Sequence, residues 1–412
     1  MVLRVLRYKK FCQMAEPFAW LNLLSSSIVL ALAVYFSSQS YSAPRQEDDS
    51  MKSSQTPKDL LDVLVIGGGL SGLVVSRGLQ GRSAAANINW KLLEARSVLG
   101  GRLANENVLD KIDMGGAWIW PHHQPHIRQL TSELNIRTFP QPDDPSSTRI
   151  DGGAVRLIRE IANTLPDESI RLNSPVTHCK LEESKNDASG EATIRVETAN
   201  QETFFARRVV FAVPPRLIWE HVTFDPPLSQ SKQSALASSH TWMAGVTKVA
   251  LVYSNNFWDT QSSNMGLPAG AEGPAFQVYD SSAADGSVHA LTFFTLVPPK
   301  TPAYSDDAIL ARQVADQMAN VWTYLRRPQF SQQAHSYSSF HVFRWPIQKF
   351  VSEDSQPSQI HPHPMPIKAL SEPEWNGRLL FAGSETDLNS PGVMEGAVSA
   401  AKRVLEVLKR WI

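Results

Sequence analysis

Two cysteines in 412 residues, Cys12 and Cys179, are too few to organise a fold covalently. They form no C-x-x-C couple and no multi-cysteine metal site. Charge of one sign is missing as well: 39 Lys+Arg stand against 40 Asp+Glu, a net charge of −1. Such a chain sets up no field that would gather nucleic acid, so a DNA or RNA role is not expected. Nor is there a long apolar run. The cleanest, Ile28 to Phe36, is nine residues, where a membrane span needs about twenty. What is present is ordinary for a globular protein: 42% hydrophobic and 19% charged residues, too apolar for a disordered chain. The length allows two or three domains, or two interleaved ones.

The N-terminus reads as a leader. Arg4, Arg7, Lys9 and Lys10 precede the apolar stretch Phe18 to Phe36, and small residues follow at Ser37, Ser38, Ser40, Ser42 and Ala43. This suits a signal peptide, with cuts after Ala43 or Ser40 competing, and equally an uncleaved anchor using all of Phe18 to Phe36. Export or membrane anchoring is therefore expected. Loss of residues 1–43 would leave 35 basic and 39 acidic groups, and Cys179 as the only cysteine. Residues 44–58 are polar and read as a tether.

The folded part opens near Asp59. Asp62 to Ile66 (DVLVI) is the continuous apolar run of a strand buried on both faces of a parallel sheet. It runs into Gly67-Gly68-Gly69-Leu70-Ser71-Gly72 and then an apolar pattern at helical spacing. A second strand, Asn89 to Glu94, ends on a carboxylate. Strand, turn, helix and strand fill about thirty residues, one βαβ unit. Further strands are expected at 170–172, 193–198, 208–212, 248–253 and 288–296, with a helix over 306–325. A last strand at 378–382 meets Gly383, and a helix runs from about Pro391 to Leu408. The first and last strand–helix pairs look alike, with a mostly antiparallel insert between them.

Gly67-x-Gly69-x-x-Gly72 is the strongest local signal. The first glycine permits the tight turn, the second lets a pyrophosphate approach the backbone, and the third packs helix on strand. Phosphate charge then meets free N–H groups at a helix start. Glu94 follows Gly72 by 22 residues, where a carboxylate accepts hydrogen bonds from ribose hydroxyls.

The next residues choose among dinucleotides. Glu94-Ala95-Arg96 and Gly100-Gly101-Arg102 form an E-A-R-x-x-x-G-G-R pattern that resembles the FAD-binding segment of the flavin-containing amine oxidase family, the monoamine and polyamine oxidases and their relatives. The resemblance recurs in family order. Asp113-x-Gly115-Gly116-Ala117-Trp118-Ile119 is similar to the glycine pair leading a loop past the flavin. Gly152-Gly153-Ala154 resembles the start of the segment after the family's substrate-domain insertion. Leu172 to Val176 is similar to the strand whose valine backbone, here Val176, meets adenine. Residues 209–215 (VVFAVPP) and 224–228 (FDPPL) match the return from that domain. Residues 380–386 (LFAGSET) and 391–397 (PGVMEGA) resemble the closing FAD signature. There the resemblance places Gly383, Glu385, Gly392, Val393 and Met394 at the cofactor. Glu385 would accept from cofactor hydroxyls, and the helix from Pro391 would aim its positive end at the flavin.

The resemblance also shows where this chain departs. Many members carry a lysine that holds a water near the flavin, and the matching position falls on Ala283. The common G-Y-M-E-G-A reads G-V-M-E-G-A, so Val393 replaces one aromatic wall. No cysteine follows Cys179, so the thioether of mitochondrial members cannot form and FAD should be non-covalent. About ten residues separate Phe139 from Ile150, where typical members insert a helical substrate domain of about a hundred. The flavin face is then more open, or covered by a partner chain as in a homodimer. Trp345 matches the family's flavin-adjacent tryptophan, and Trp345 and Trp118 are the candidates for lining the substrate side. Lys248, ahead of an apolar strand, reads as structural or as a cofactor-edge residue. His122, His123, His126, His361 and His363 read as loop histidines, not metal ligands.

The implied architecture is α/β: a Rossmann-like FAD-binding domain interleaved with a reduced, mostly antiparallel substrate domain. FAD-binding parts are expected at 59–150 and 376–412, with return strands and the substrate domain over 151–375. The implied function is FAD-dependent oxidation of a small amine to an imine and then an aldehyde, O2 being reduced to H2O2. Two alternatives keep the fold: a desaturase or porphyrinogen-type oxidase, and a flavin-binding protein without turnover.

Overall fold

The computed structural model describes residues 60–103, 111–142, 144–183, 192–258, 267, 271–352 and 362–411. The expected leader, the tether and His361 lie outside these residues.

β1 (Leu61–Ile66) is apolar because both its faces are covered; Val63, Leu64 and Val65 are fully buried. It connects through the glycine turn and α1 (Leu70–Ala86) to β2 (Trp90–Leu93), which lies parallel beside it. Asn87, at φ 50°, ends α1 in the left-handed conformation that stops a helix. β3 (Trp118–Ile119) follows, then α2 (Pro125–Glu133) and the hairpin of β4 (Thr138–Gln141) and β5 (Asp144–Ile150). These strands form a small antiparallel sheet with β5 in the middle. α3 (Val155–Ala162) leads to β6 (Ile170–Arg171), which pairs with β2.

β7 (Val176–Glu182), β8 (Thr193–Thr198) and β9 (Thr203–Phe211) run as an antiparallel meander, with β10 (Thr223–Asp225) at its edge. β9 joins this meander to the nucleotide unit. One edge pairs with β1 in parallel; on the other, Ala206 pairs with β8, and from Val209 onward the strand pairs with β15 (Leu379–Phe381). The main sheet is thus parallel around β1 and antiparallel toward β7. Cys179 lies within β7, fully buried in the core under that part of the sheet, and burial pushes its thiol pKa up.

A second sheet, in the order β12 (Ala275–Asp280), β13 (His289–Thr295), β11 (Thr247–Tyr253), β14 (Ser339–Arg344), is antiparallel throughout. α4 (Asp307–Tyr324) covers it with Leu310, Val314, Met318 and Val321. The Asp306 carboxylate caps α4 by accepting from the N–H groups of Ala308 and Ile309. The chain closes on α5 (Met394–Leu408), packed against α1, where a Cβ on Gly78 would overlap Leu405.

One expectation needs correction. The last helix begins at Met394, not Pro391, because Gly392 sits at φ +80° in a turn that no helix can include. A strand pair was not foreseen in the short stretch between Phe139 and Ile150, which forms most of the β4–β5 hairpin. Its polar, proline-containing sequence hides the alternation that marks a strand.

Candidate active site

Three segments build one end of a cleft that opens to solvent. The first is the turn after β1. Gly67 takes φ +104°, and a Cβ on Gly72 would overlap the Gly67 carbonyl oxygen, so α1 packs hard against the turn. In front of Gly69 there is nothing within 4 Å of a Cβ position. The turn is tight behind and open ahead, which fits a pyrophosphate. Leu70 lines the cleft, and the Ser71 hydroxyl donates to the Ala382 carbonyl, tying α1 to the end of β15.

The second segment carries Glu94 and Arg102. Glu94 Oε2 accepts from the Gly68 N–H at 2.6 Å and Oε1 from the Arg96 N–H at 2.9 Å. Burial raises its pKa against those hydrogen bonds. As an ionised carboxylate it has further acceptor capacity for ribose hydroxyls. Arg102 grips Glu385 with two bonds, 2.6 and 3.1 Å, and the Ser384 hydroxyl at 2.9 Å. Burial pushes Glu385 up, but the Arg102 charge and hydrogen bond, its own backbone N–H and the Ser384 hydroxyl together outweigh it, and the carboxyl stays below its ordinary value. Glu385 therefore holds Arg102 beside the cleft and is not itself among the lining residues.

The third segment is the closing turn. Gly383, Gly392, Val393 and Met394 line the cleft, and α5 starts there with no side-chain cap on its free N–H groups. Its first-turn carboxylate, Glu395, turns away and accepts from the N–H groups of His126 and Ile127 at 3.1 and 2.8 Å. It caps α2 instead. These three segments match what FAD needs: a glycine cradle, a ribose carboxylate, a cation and an uncapped helix start.

The other end of the cleft is aromatic. Gly115, Gly116 and Ala117 lead into Trp118, whose Nε1 donates to Gln141 Oε1 at 3.1 Å. Gln141 Nε2 in turn donates to the Asp280 carbonyl at 3.0 Å, and Arg149 reaches the Ser282 carbonyl at 2.6 Å. The hairpin thus rivets Trp118 to the second sheet, with the Trp118 ring 4.6 Å from Tyr279 and 5.9 Å from Phe294. Trp345 is buried against Phe343, and its Nε1 donates to the Met114 carbonyl at 2.8 Å.

Lys248 enters this end from β11. Its Nζ donates to the carbonyls of Gly115 at 2.6 Å and Asp113 at 3.3 Å, and lies 4.4 Å from the Phe294 ring centre. Burial lowers its pKa to about 8 and raises that of Asp113 to about 6; each charge opposes the shift of the other. Asp113 also accepts from the Ala154 N–H at 2.6 Å, ahead of α3. Ala283 sits in a tight turn between β12 and β13 and does not line the cleft. Among the described lining residues the lysine is Lys248, so the structure does not bear out a lysine position at Ala283 facing the cleft.

Of the other predicted residues, Gly101 lines the cleft, while Gly72, Ala95, Arg96 and Val176 are not among its lining residues. The Arg96 backbone braces Glu94, and Val176 is buried at the start of β7. Sequence reasoning missed Gln141, Glu395, Trp242 and Phe294. Only Glu395 had a signal, its place in the P-G-V-M-E-G-A motif.

Comparison with known proteins agrees with this geometry. The flavin containing amine oxidoreductase model matches residues 143–406, and the NAD(P)-binding Rossmann-like domain model matches residues 65–134. Amine oxidase [flavin-containing] B of Canis lupus familiaris is 28% identical over 256 residues, 61% of this chain and 45% of its own length. Amine oxidase [flavin-containing] A of Bos taurus is 28% identical over 264 residues, 61% of this chain and 44% of its own. The chain thus spans about half the length of these curated relatives. Among solved structures, wild-type putrescine oxidase bound to putrescine superposes with a TM-score of 0.65 at 17% identity, over 85% of this chain and 99% of that one. Cyclohexylamine oxidase from Brevibacterium oxydans IH-35A gives 0.64 at 18%, over 85% and 100%. The cleft, the order of its motifs and a family match across most of the folded chain lead to one assignment: this chain belongs to the flavin containing amine oxidoreductases, with FAD as its cofactor.

Proposed function

We propose that this chain oxidises a small primary or secondary amine to an imine, which water converts to an aldehyde, with O2 as the electron acceptor. The observation that carries the reading is the convergence of the dinucleotide cradle, Lys248, Trp118 and Trp345 on a single cleft. Bound FAD supplies the two-electron chemistry, taking electrons from the amine α-carbon and returning them to O2. The protein holds, orients and polarises.

Trp118 and Trp345 are each fixed by a hydrogen bond from the indole N–H, so their faces are set before substrate arrives. A pre-set wall cuts the ordering cost of binding. Lys248 commits two of its three N–H groups to carbonyls and keeps one for a water or substrate atom in the cleft. Burial pulls its pKa down from the usual lysine range, which makes the proton easier to give up than on a solvated lysine. This gives the chain the lysine that its family uses near the flavin, which weighs against a flavin-binding role without turnover. The neutral amine, with its nitrogen lone pair free, is the form ready for oxidation.

The test is an anaerobic titration of the FAD-loaded protein with primary amines, secondary amines and polyamines, following flavin absorption. Bleaching by an amine, with H2O2 on admitting air, is the expected result. Flavin bands that persist through the whole panel would overturn the reading.

A further inference from the structure

We infer that Trp242 is the residue that selects the body of the substrate, forming the cleft wall above the Gly392–Val393 turn. The inference rests on the amine-oxidising reading above and deepens it.

Three chain segments far apart in sequence meet at this corner. Trp242 precedes β11, Gly392 and Val393 precede α5, and His363 and Pro364 lie between β14 and β15. Their packing is close. A Cβ on Gly392 would stand 2.9 Å from Pro364 Cγ and 3.7 Å from Trp242 Cβ. At φ +80°, Gly392 takes a backbone shape that a residue with a side chain adopts only with strain. The His363 ring meets the Trp242 ring edge-on, at 4.8 Å and 62°. Trp242 and Val393 both line the cleft, whereas His363 is exposed outside it.

Trp242 is therefore a panel one residue thick, with the cleft on one side and a braced, solvent-facing histidine on the other. Val393 next to it offers only a small aliphatic face. The Trp242 indole is the large surface of this wall, and unlike Trp118 and Trp345 it is held by ring packing alone among the described contacts. Indole contact favours a flat or bulky apolar substituent over a short alkyl one. The amine end is handled elsewhere, by Lys248 and the two fixed tryptophans, so this wall acts on the rest of the molecule.

Cumylamine and tert-butylamine test the assignment. Both lack an α-hydrogen and cannot be oxidised, so their dissociation constants report binding alone. Each is titrated into FAD-loaded wild type, Trp242→Ala and Trp242→Phe by calorimetry. The expected result is a cumylamine-to-tert-butylamine affinity ratio that falls at least fivefold in Trp242→Ala and stays within threefold of wild type in Trp242→Phe. A smaller fall in Trp242→Ala overturns the assignment. Should Trp242→Ala fail to retain FAD, Trp242→Leu takes its place against Trp242→Phe under the same criterion. The anaerobic titration of wild type separates the two claims. Bleaching by amines with an unmoved ratio removes Trp242 and leaves amine oxidation standing; a changed ratio without any bleaching does the reverse.

Discussion

Arg102 and Glu385 show how a charge is carried to the edge of a cleft. Glu385 is buried and Arg102 partly exposed, and the fork-to-fork geometry fixes the guanidinium where a cofactor phosphate can use it. Removing one partner of a buried pair leaves the other charged and unsolvated, at a cost of about 3–5 kcal/mol. Arg102→Ala should therefore lower the melting temperature and weaken FAD binding together. Adding Glu385→Gln should recover stability but not FAD affinity, measured by thermal melts and by equilibrium dialysis of FAD. Glu385 has its pKa lowered in the folded state, so its contribution is present above the unfolded value near 4.5 and is lost as pH falls through the folded one. The Arg102→Ala variant should lose that acid limb.

Asp113 acts on Lys248 in the opposite sense to burial, holding the proton on the amine. Asp113→Asn keeps an oxygen for the Ala154 N–H and removes only the charge. Lys248 should then release its proton more easily. The alkaline limb of the pH–rate profile should move to lower pH by up to about one unit, as read by the rate of flavin reduction across pH 6–10. An unmoved limb would mean that Lys248 does not set it.

Elements in this protein are joined through their ends. The carboxylate at the start of α5 caps α2, so the helix facing FAD and the one leaving Trp120 and Gln124 in the cleft wall are locked together. Losing a cap costs about 0.5–2 kcal/mol. Glu395→Ala should show that loss in urea unfolding and weaken FAD binding, although Glu395 does not itself line the cleft. The glycine turn after β1 was legible in the sequence because its demands are local: a positive φ at Gly67 and no room for a Cβ at Gly72. The aromatic end was not. Lys248 matters because of two carbonyls more than 130 residues away in the chain, and the K-V-A-L-V-Y run reads equally well as a plain buried strand. Gln141 was hidden for the same reason, since Trp118 and Asp280, which its side chain bonds, lie on other elements. Trp242 had no pattern at all, only a later meeting with His363 and Gly392.

On the scale of the whole molecule, the main sheet supplies the cofactor end of the cleft and the second sheet the aromatic end, with residues 113–118 running between them. Met114 and its two neighbours give their carbonyls to Trp345 and Lys248 of the second sheet, while Gly115 and Gly116 line the cleft. A ligand that binds only the folded form adds about 2.7 kcal/mol at a hundredfold excess over its dissociation constant. Stripping FAD should accordingly lower the melting temperature by several degrees and bring the loss of aromatic circular dichroism, from the cleft tryptophans, ahead of the loss of helix. Restoring FAD should reverse both.

The β4–β5 hairpin stands where relatives are expected to carry a large helical domain. Gln141 and Asp144 are paired neighbours at its tip, so the two chain ends that would lead into and out of any insertion already sit side by side. The hairpin is thus a port: a foreign module whose own termini are adjacent can be spliced between these residues while Gln141 keeps its grip on Trp118. Chimaeras built at this tip would add a module next to the strand pair that holds Trp118, which makes the chain a chassis for exchanging such modules.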